Sequence, residues 1–281
     1  MPTPTSLRAL PLTASIGATI DGIDVRDATD ADVASIRAAV VRHRVVFLPG
    51  QHLDAAALGS FAGRFGTLGR SPLDELLGRP ATTTVIEDTA DRPPAGFDWH
   101  TDLSWTPQPP SMGFLHGLVI PPVGGDTLWS NQVAAYESLP TPIQEQSRAL
   151  LAEHACDATL LATVERHHGT AVADGLRRTH PPVHHPLVRT HVDTGELGLF
   201  LSPMYLRRLV GIDPLAGADL ARRLGEALDD PHHQVRWRWS EGDLAIWDET
   251  TTCHRALVDH FPHRRLIRRC VIEGPTPQPA P

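Results

Sequence analysis

No lysine occurs in the 281-residue chain, so all 25 basic residues are arginines and every cationic contact is a planar, permanently charged fork. Cysteine is almost as scarce. Cys156, Cys253 and Cys270 form no CxxC pair and are odd in number, which argues against a disulfide framework or a zinc ribbon and fits small buried hydrophobes in a reducing compartment. No run approaches the roughly 18 apolar residues of a membrane helix, and the N-terminus lacks the charged-then-apolar order of a signal peptide. A soluble cytoplasmic protein with no membrane partner is therefore expected. Positive charge is in deficit, 25 basic against 33 acidic residues for a net of -8, which argues against nucleic acid as a partner. Internal repeats are absent, and the one low-complexity stretch, residues 275–281, is expected to be a disordered tail after a single domain of residues 1–274. At 41% hydrophobic and 21% charged the chain falls in the ordinary globular class. Histidine is what it has in surplus, with 16. Histidine is the commonest metal ligand and the usual acid or base near neutral pH.

Hydrophobic periodicity predicts a helix over Asp30–His43, where Val33, Ile36 and Val40 fall on one face, and a strand over 44–48. A second helix is predicted over 54–65. Beyond it the chain turns β-rich, with strands expected over 82–87, 113–120, 126–129, 186–191, 197–201, 235–239, 243–247 and Arg265–Ile272, and helices over 140–153 and 215–228. Short strands without regular βαβ alternation suggest a jelly roll carrying helices. Residues 155–185, with weak periodicity and two His pairs, read as a long mobile excursion of the kind that often forms a lid.

Three His-x-Asp pairs occur, where composition predicts roughly one. On a strand such a pair points both side chains to one face, so both reach one ion. Asp54 of His52/Asp54 stands immediately before an apolar-periodic helix and reads as its N-cap. Asp193 of His191/Asp193 opens an Asp-Thr-Gly turn. His100/Asp102 has no such competing role. A third ligand from far along the chain would complete the two-His, one-carboxylate facial triad of non-haem Fe(II) oxygenases. Among the remaining histidines, His254 has the most informative surroundings, directly after a strand and ahead of Arg265–Ile272. In that strand Arg265, Ile267, Arg269 and Val271 share a face. Arginines on an otherwise apolar strand are costly to bury unless they meet anions. The alternative is a solvated face on an edge strand.

Taken together, Trp99-His100-Thr101-Asp102, Gly124 to Trp129, Val235 to Trp239, Ile246-Trp247-Asp248, and His254 followed by Arg265 and Arg269 resemble the taurine dioxygenase family of Fe(II)/2-oxoglutarate-dependent oxygenases, over nearly the whole chain. The resemblance implies a double-stranded β-helix, a jelly-roll, cupin-like fold of mainly β or α+β class with flanking helices. It implies that His100, Asp102 and His254 bind Fe(II), that Thr127 and Arg265 hold the distal carboxylate of 2-oxoglutarate, and that Arg269 faces the substrate's anionic group. O2 is the further co-substrate implied, succinate and CO2 the co-products, and a homodimer or homotetramer the assembly.

The departures from the taurine enzymes fall where substrate is selected. Ser71 stands at the place of a sulfonate-binding histidine, Gly96 at that of an asparagine, and Tyr205 at that of a pocket phenylalanine. A lost polar partner at such a site changes specificity by orders of magnitude. Taurine is thus not the expected substrate, although a small anionic molecule is, with Arg70 either a second cation or a surface arginine. The expected activity is hydroxylation of an unactivated C–H bond, in tailoring of a specialised metabolite or, alternatively, in scavenging a sulfonate, sulfate ester or aryloxy acid. Two other classes fit less well. A zinc hydrolase lacks a suitably spaced glutamate base and leaves Thr127 and Arg265 unexplained, and a silent cupin-like binding protein would need a damaged triad.

Overall fold

Along the strand Val45–Leu48, Val45 and Phe47 pack on one side and Val46 and Leu48 on the other, and this period of two organises the molecule. The computed structural model describes residues 7–80, 83–92 and 98–281. Its main sheet has seven strands in the order Ala9–Pro11, Ala18–Ile20, Val45–Leu48, Leu244–Asp248, Met112–Val119, Arg265–Ile272 and Thr84–Asp88. A three-stranded sheet, Gln234–Trp237, Thr127–Asn131 and Thr252–Ala256, supplies the opposing layer. The core between them joins Val45, Phe47, Leu115, Ala245, Trp247 and Ile267 of the large sheet to Trp129 and Val235 of the small one, with Trp239 alongside. Two sheets facing across such a core make the jelly roll.

The outer face of the large sheet, through Val46, Leu48, Phe114, Ile246 and Cys270, packs against the helices Asp30–His43 and Ala55–Ala62. Both start where the sequence signals them. Thr29 and Asp32 form a reciprocal capping box, and Asp54 caps the second helix through the N–H of Ala57, which accounts for that His-x-Asp pair without a metal. Asp193 lies in the connection between Val188–Thr190 and Leu197–Leu199, as turn chemistry requires.

Other expectations change. The helix predicted over 140–153 ends at Arg148, and Leu151–His154 is a strand paired on both sides. Residues 155–185 are not an unstructured excursion. They form the helices Ala158–His168 and Thr170–Thr179 and the strand Val183–Pro186, because Leu160, Leu161, Val164, Ala173 and Leu176 gather against Trp105 and Tyr205. Gly169, with φ +87°, breaks the helical period between them, which hides each half in the sequence. The tail also departs from its expected disorder. Gln278–Pro279 pairs with Val188–Thr190, whose edge offers open backbone groups, and the Ala280 N–H bonds Val188 O at 3.2 Å. Among the described residues no helix is long and apolar enough to cross a membrane.

Candidate metal centre and active site

His100 and His254 face each other in a single antiparallel bridge. The His100 N–H donates to His254 O at 3.0 Å and the His254 N–H returns to His100 O at 2.8 Å. Their rings lie 4.2 Å apart, centroid to centroid. His254 sits within Thr252–Ala256, a strand the sequence did not reveal because Thr250-Thr251-Thr252-Cys253 carries no alternation. Asp102 does not lie on a strand with His100. The chain turns after the bridge, with Leu103 at φ +51°, so a turn and not strand alternation brings the carboxylate to the histidines. That turn is pinned from two sides: Thr101 donates through Oγ1 to Thr252 O at 3.0 Å, and the Asp102 N–H donates to Glu249 Oε2 at 3.2 Å.

One ligand atom from each of His100, Asp102 and His254 lies within 4.8 Å of the others, and all three residues are buried. Asp102 Oδ2 and His254 Nδ1 have no hydrogen-bond partner. Buried polar atoms left unpaired cost about 1–3 kcal/mol each, a cost a bound cation removes. Asp98 O lies 2.8 Å from His100 Nδ1; a carbonyl only accepts, so Nδ1 carries the hydrogen and Nε2 presents a lone pair. Burial pushes the His100 imidazolium down, and burial together with the neighbouring His100 pushes His254 down to about 3. Burial opposes the charge on Asp102, but Arg269 and the two histidines override it and hold the carboxyl below its usual range. Two neutral imidazoles and an ionised carboxylate are the donor set a divalent iron takes.

Thr127 and Arg265 lie on the same inner side. Arg265 is 5% exposed, and among the described residues its side chain makes one hydrogen bond, from Nε to Gly125 O at 3.1 Å. Among the described residues no carboxylate pairs with it, so its two Nη groups are free for an incoming anion. Thr127 Oγ1 accepts from Trp239 Nε1 at 3.0 Å, which leaves the threonine hydroxyl hydrogen to donate elsewhere. The Gly124-Gly125 turn between them needs glycine. Both φ values are near +70°, and a Cβ on Gly125 would stand 3.0 Å from Arg265 Cδ.

The residues expected at the substrate divide. Tyr205 packs edge-on to His100 with centroids 6.0 Å apart, its phenol pushed up by burial. Arg269 lies on the inner face but is paired with a ligand, its Nη1 donating to Asp102 Oδ1 at 2.8 Å. Ser71 is the N-cap of the short helix Pro72–Leu76, accepting from the Asp74 N–H at 3.1 Å and donating to Asp74 Oδ2 at 2.6 Å. No contact links it to the triad among the described residues. Arg70 is exposed and donates to Asp74 O. Gly96 lies outside the described residues.

Two residues next to the site escaped the motif search, Glu249 and Asp229, and Trp239 stood in a motif without a role. Glu249 is fully buried, its Oε1 has no partner, and burial followed by the Asp102 charge pushes its carboxyl well above the usual range. Its position right after Trp247-Asp248 was the one signal available.

Residues 8–271 match the family model described as taurine catabolism dioxygenase TauD, TfdA family. The chain is 32% identical to an alkylsulfatase of Acinetobacter baylyi over 94% of this chain and 84% of that protein. It is 33% identical to an alpha-ketoglutarate-dependent sulfate ester dioxygenase of Pseudomonas putida over 95% and 89%. A crystal structure of a taurine dioxygenase from Burkholderia xenovorans superposes with a TM-score of 0.81, 32% identity, and 97% and 92% coverage. The chain therefore belongs to the taurine catabolism dioxygenase TauD, TfdA family, and is a non-haem Fe(II)/2-oxoglutarate-dependent dioxygenase.

Proposed function

We propose that the enzyme hydroxylates an unactivated C–H bond of a small anionic organic molecule, with His100, Asp102 and His254 as the iron ligands and Thr127 and Arg265 as the clasp for the distal carboxylate of 2-oxoglutarate. The observation that carries the assignment of the clasp is the buried Arg265 guanidinium with both Nη groups unpaired beside a buried triad. Asp88 and Asp126 offset part of its charge without meeting the fork, and a planar carboxylate matches that fork. Fe(II), held by His100, Asp102 and His254, would supply the activation of O2 that is coupled to conversion of 2-oxoglutarate to succinate and CO2. The chain's own share is positional. Its core excludes water, Asp98 fixes the His100 tautomer, and the apolar cap around Trp105, Leu176 and Tyr205 roofs the His100 side.

Tailoring of a specialised metabolite is our first reading of the substrate, since Ser71 is engaged with Asp74 and among the described residues no contact links Ser71 or Arg70 to the triad. Cleavage of a sulfate ester is the second, favoured by the similarity to the Acinetobacter and Pseudomonas enzymes. The two differ in what the hydroxylated carbon carries: an ester oxygen on that carbon makes the product collapse and release sulfate. Succinate formation across a panel of alkyl sulfates, aryloxy acids and sulfate-free carboxylic acids, with sulfate release measured in parallel, decides between them. Wild-type succinate formation by His254→Ala supplied with Fe(II) would overturn the metal assignment. We further infer a cytoplasmic enzyme, consistent with three buried free thiols, acting through one domain of residues 1–274 and assembled as a homodimer or homotetramer; sedimentation tests the last point.

A further inference from the structure

Among the described residues the His100–His254 bridge consists of one residue pair, and the segment carrying His100 is held by single contacts, such as the Met204 N–H to Trp99 O and Thr101 Oγ1 to Thr252 O, and not by a ladder. His254 is fixed by five registered pairs with Thr127–Asn131. His100 is not, so its distance from His254 depends on whatever keeps its segment against that strand. Side chains alternate across a bridge, which places the neighbours Trp99 and Arg255 on the face opposite the metal ligands. There they are stacked, with Arg255 Cζ 4.6 Å from the centre of the Trp99 indole. Asp229, which follows the helix Pro214–Leu228, closes the group. Its Oδ1 accepts from Trp99 Nε1 at 2.7 Å and lies 3.7 Å from Arg255 Nη2. The Trp99 indole is buried, and Asp229 is its hydrogen-bond partner.

We propose that Asp229 is a positioning residue for the metal centre: with Trp99 and Arg255 it forms a clasp on the outer face of the bridge that sets the spacing of His100 and His254. The inference rests on the reading of these histidines as ligands. A ligand set tolerates errors of only a few tenths of an ångström, and groups that orient ligands directly change metal affinity by about 10–100-fold. Acting one residue further out, Asp229 should contribute less, about fivefold.

The test is Co(II) titration of the metal-free protein, followed by visible absorption, alongside metal-free melting temperatures. D229A should bind Co(II) about fivefold more weakly, and D229N, which keeps an acceptor for the indole but loses the charge facing Arg255, about twofold. Because Asp229 is exposed, water replaces the acceptor that the indole N–H loses in D229A, and the metal-free melting temperature should stay close to wild type. W99F should weaken Co(II) binding as D229A does, and the double variant should be no weaker than either single, as two parts of one contact require. Unchanged affinity in D229A, additive losses in the double variant, or a metal-free melting temperature falling in step with affinity would each overturn the clasp. H254A separates the two layers of the argument: if it binds Co(II) like wild type, the ligand reading fails and the clasp with it.

Discussion

The Arg269 guanidinium donates through Nη1 to Asp102 Oδ1 across 2.8 Å, so the triad's one carboxylate is held by a cation from the strand that also carries Arg265. Arg269 and a metal ion are competitors for the same negative charge. The contact is largely buried, with 23% of the arginine side chain exposed, so breaking it should cost about 2 kcal/mol, below the 3–5 of a fully buried pair. Arg269→Met should therefore lower the metal-free melting temperature by about 5 °C. It should also enlarge the further rise on adding Co(II), while substrate-dependent succinate formation falls by at least about 100-fold. A Co(II)-induced rise smaller than wild type's would show that Arg269 assists metal binding and does not oppose it.

At the other end of that strand, Arg265 and Thr127 give a separable prediction. Arg265→Gln removes the charge and the fork, and should raise the KM for 2-oxoglutarate by about 100-fold, as the loss of two charge-assisted hydrogen bonds implies. Arg265→Lys keeps the charge without the bidentate geometry and should raise it about tenfold. Trp239→Phe deletes the N–H that orients the Thr127 hydroxyl, together with part of a buried ring, and should cost a few-fold. Steady-state kinetics with 2-oxoglutarate varied at saturating Fe(II) measures all three, and equal KM values for wild type and Arg265→Gln would remove Arg265 from the clasp.

These contacts mark how far the sequence could be read. The inward pairing of Arg265 with Arg269 follows from an uninterrupted period of two, because the bulge opposite Leu266 places its extra residue on Met112–Val119. The strand is internal, flanked by Thr84–Asp88 and Met112–Val119, which removes the alternative of a solvated edge. What the sequence hid was set by tertiary partners. Ser71 could be placed opposite a ligand only by analogy, whereas its capping role depends on Asp74 three residues on. The strand holding His254 forms because Thr127–Asn131 accepts it, and no local pattern announces that. Asp229 reaches Trp99 across 130 positions, a relation with no local trace.

Acid sensitivity should arise also at two buried histidines outside the triad. His154 and His185 pack 5.6 Å apart, and both reach the carbonyl of Ser104, behind the turn that carries Asp102. Burial, with His185 and nearby arginines as lesser causes, pushes His154 down to about 3, and burial, with Arg189 and His184 as lesser causes, pushes His185 down to about 4. Both are thus neutral when folded and protonate near 6.5 when unfolded. The unfolded state takes up more protons between those values, so stability is full above about pH 6.5 and lost as pH falls toward 4. At pH 5 each histidine costs at most about 2 kcal/mol. His191 runs the other way: burial lowers it, but Asp248 at 3.1 Å outweighs burial and raises it, so its contribution is present below 6.5 and fades as pH rises. His154→Leu should leave a shallower drop in melting temperature between pH 7.5 and 5 than wild type shows. Parallel curves for the two proteins would place the acid sensitivity elsewhere.

Gly113 tests how tightly the core aims a ligand. It sits on Met112–Val119 opposite Trp247, and a Cβ there would fall 2.1 Å from Trp247 Cζ2. The indole in turn packs against the His254 ring, with centroids 5.1 Å apart, while Trp129 stacks on the His254 ring at 6.3 Å and meets Trp247 edge-on at 5.9 Å. Gly113→Ala cannot be absorbed by a flexible side-chain end, because Trp247 is wholly buried and rigid. The indole must shift toward His254 or the strands must part. Overpacking of this kind costs about 1–3 kcal/mol, so the melting temperature should fall by about 3–8 °C. Movement of the indole toward His254 should also weaken Co(II) binding beyond what the lower stability accounts for. Pairing the substitution with Trp247→Phe, which vacates space where the new methyl intrudes, should recover much of the metal affinity. If the double variant binds Co(II) no better than Gly113→Ala alone, the indole is not what transmits the change to His254.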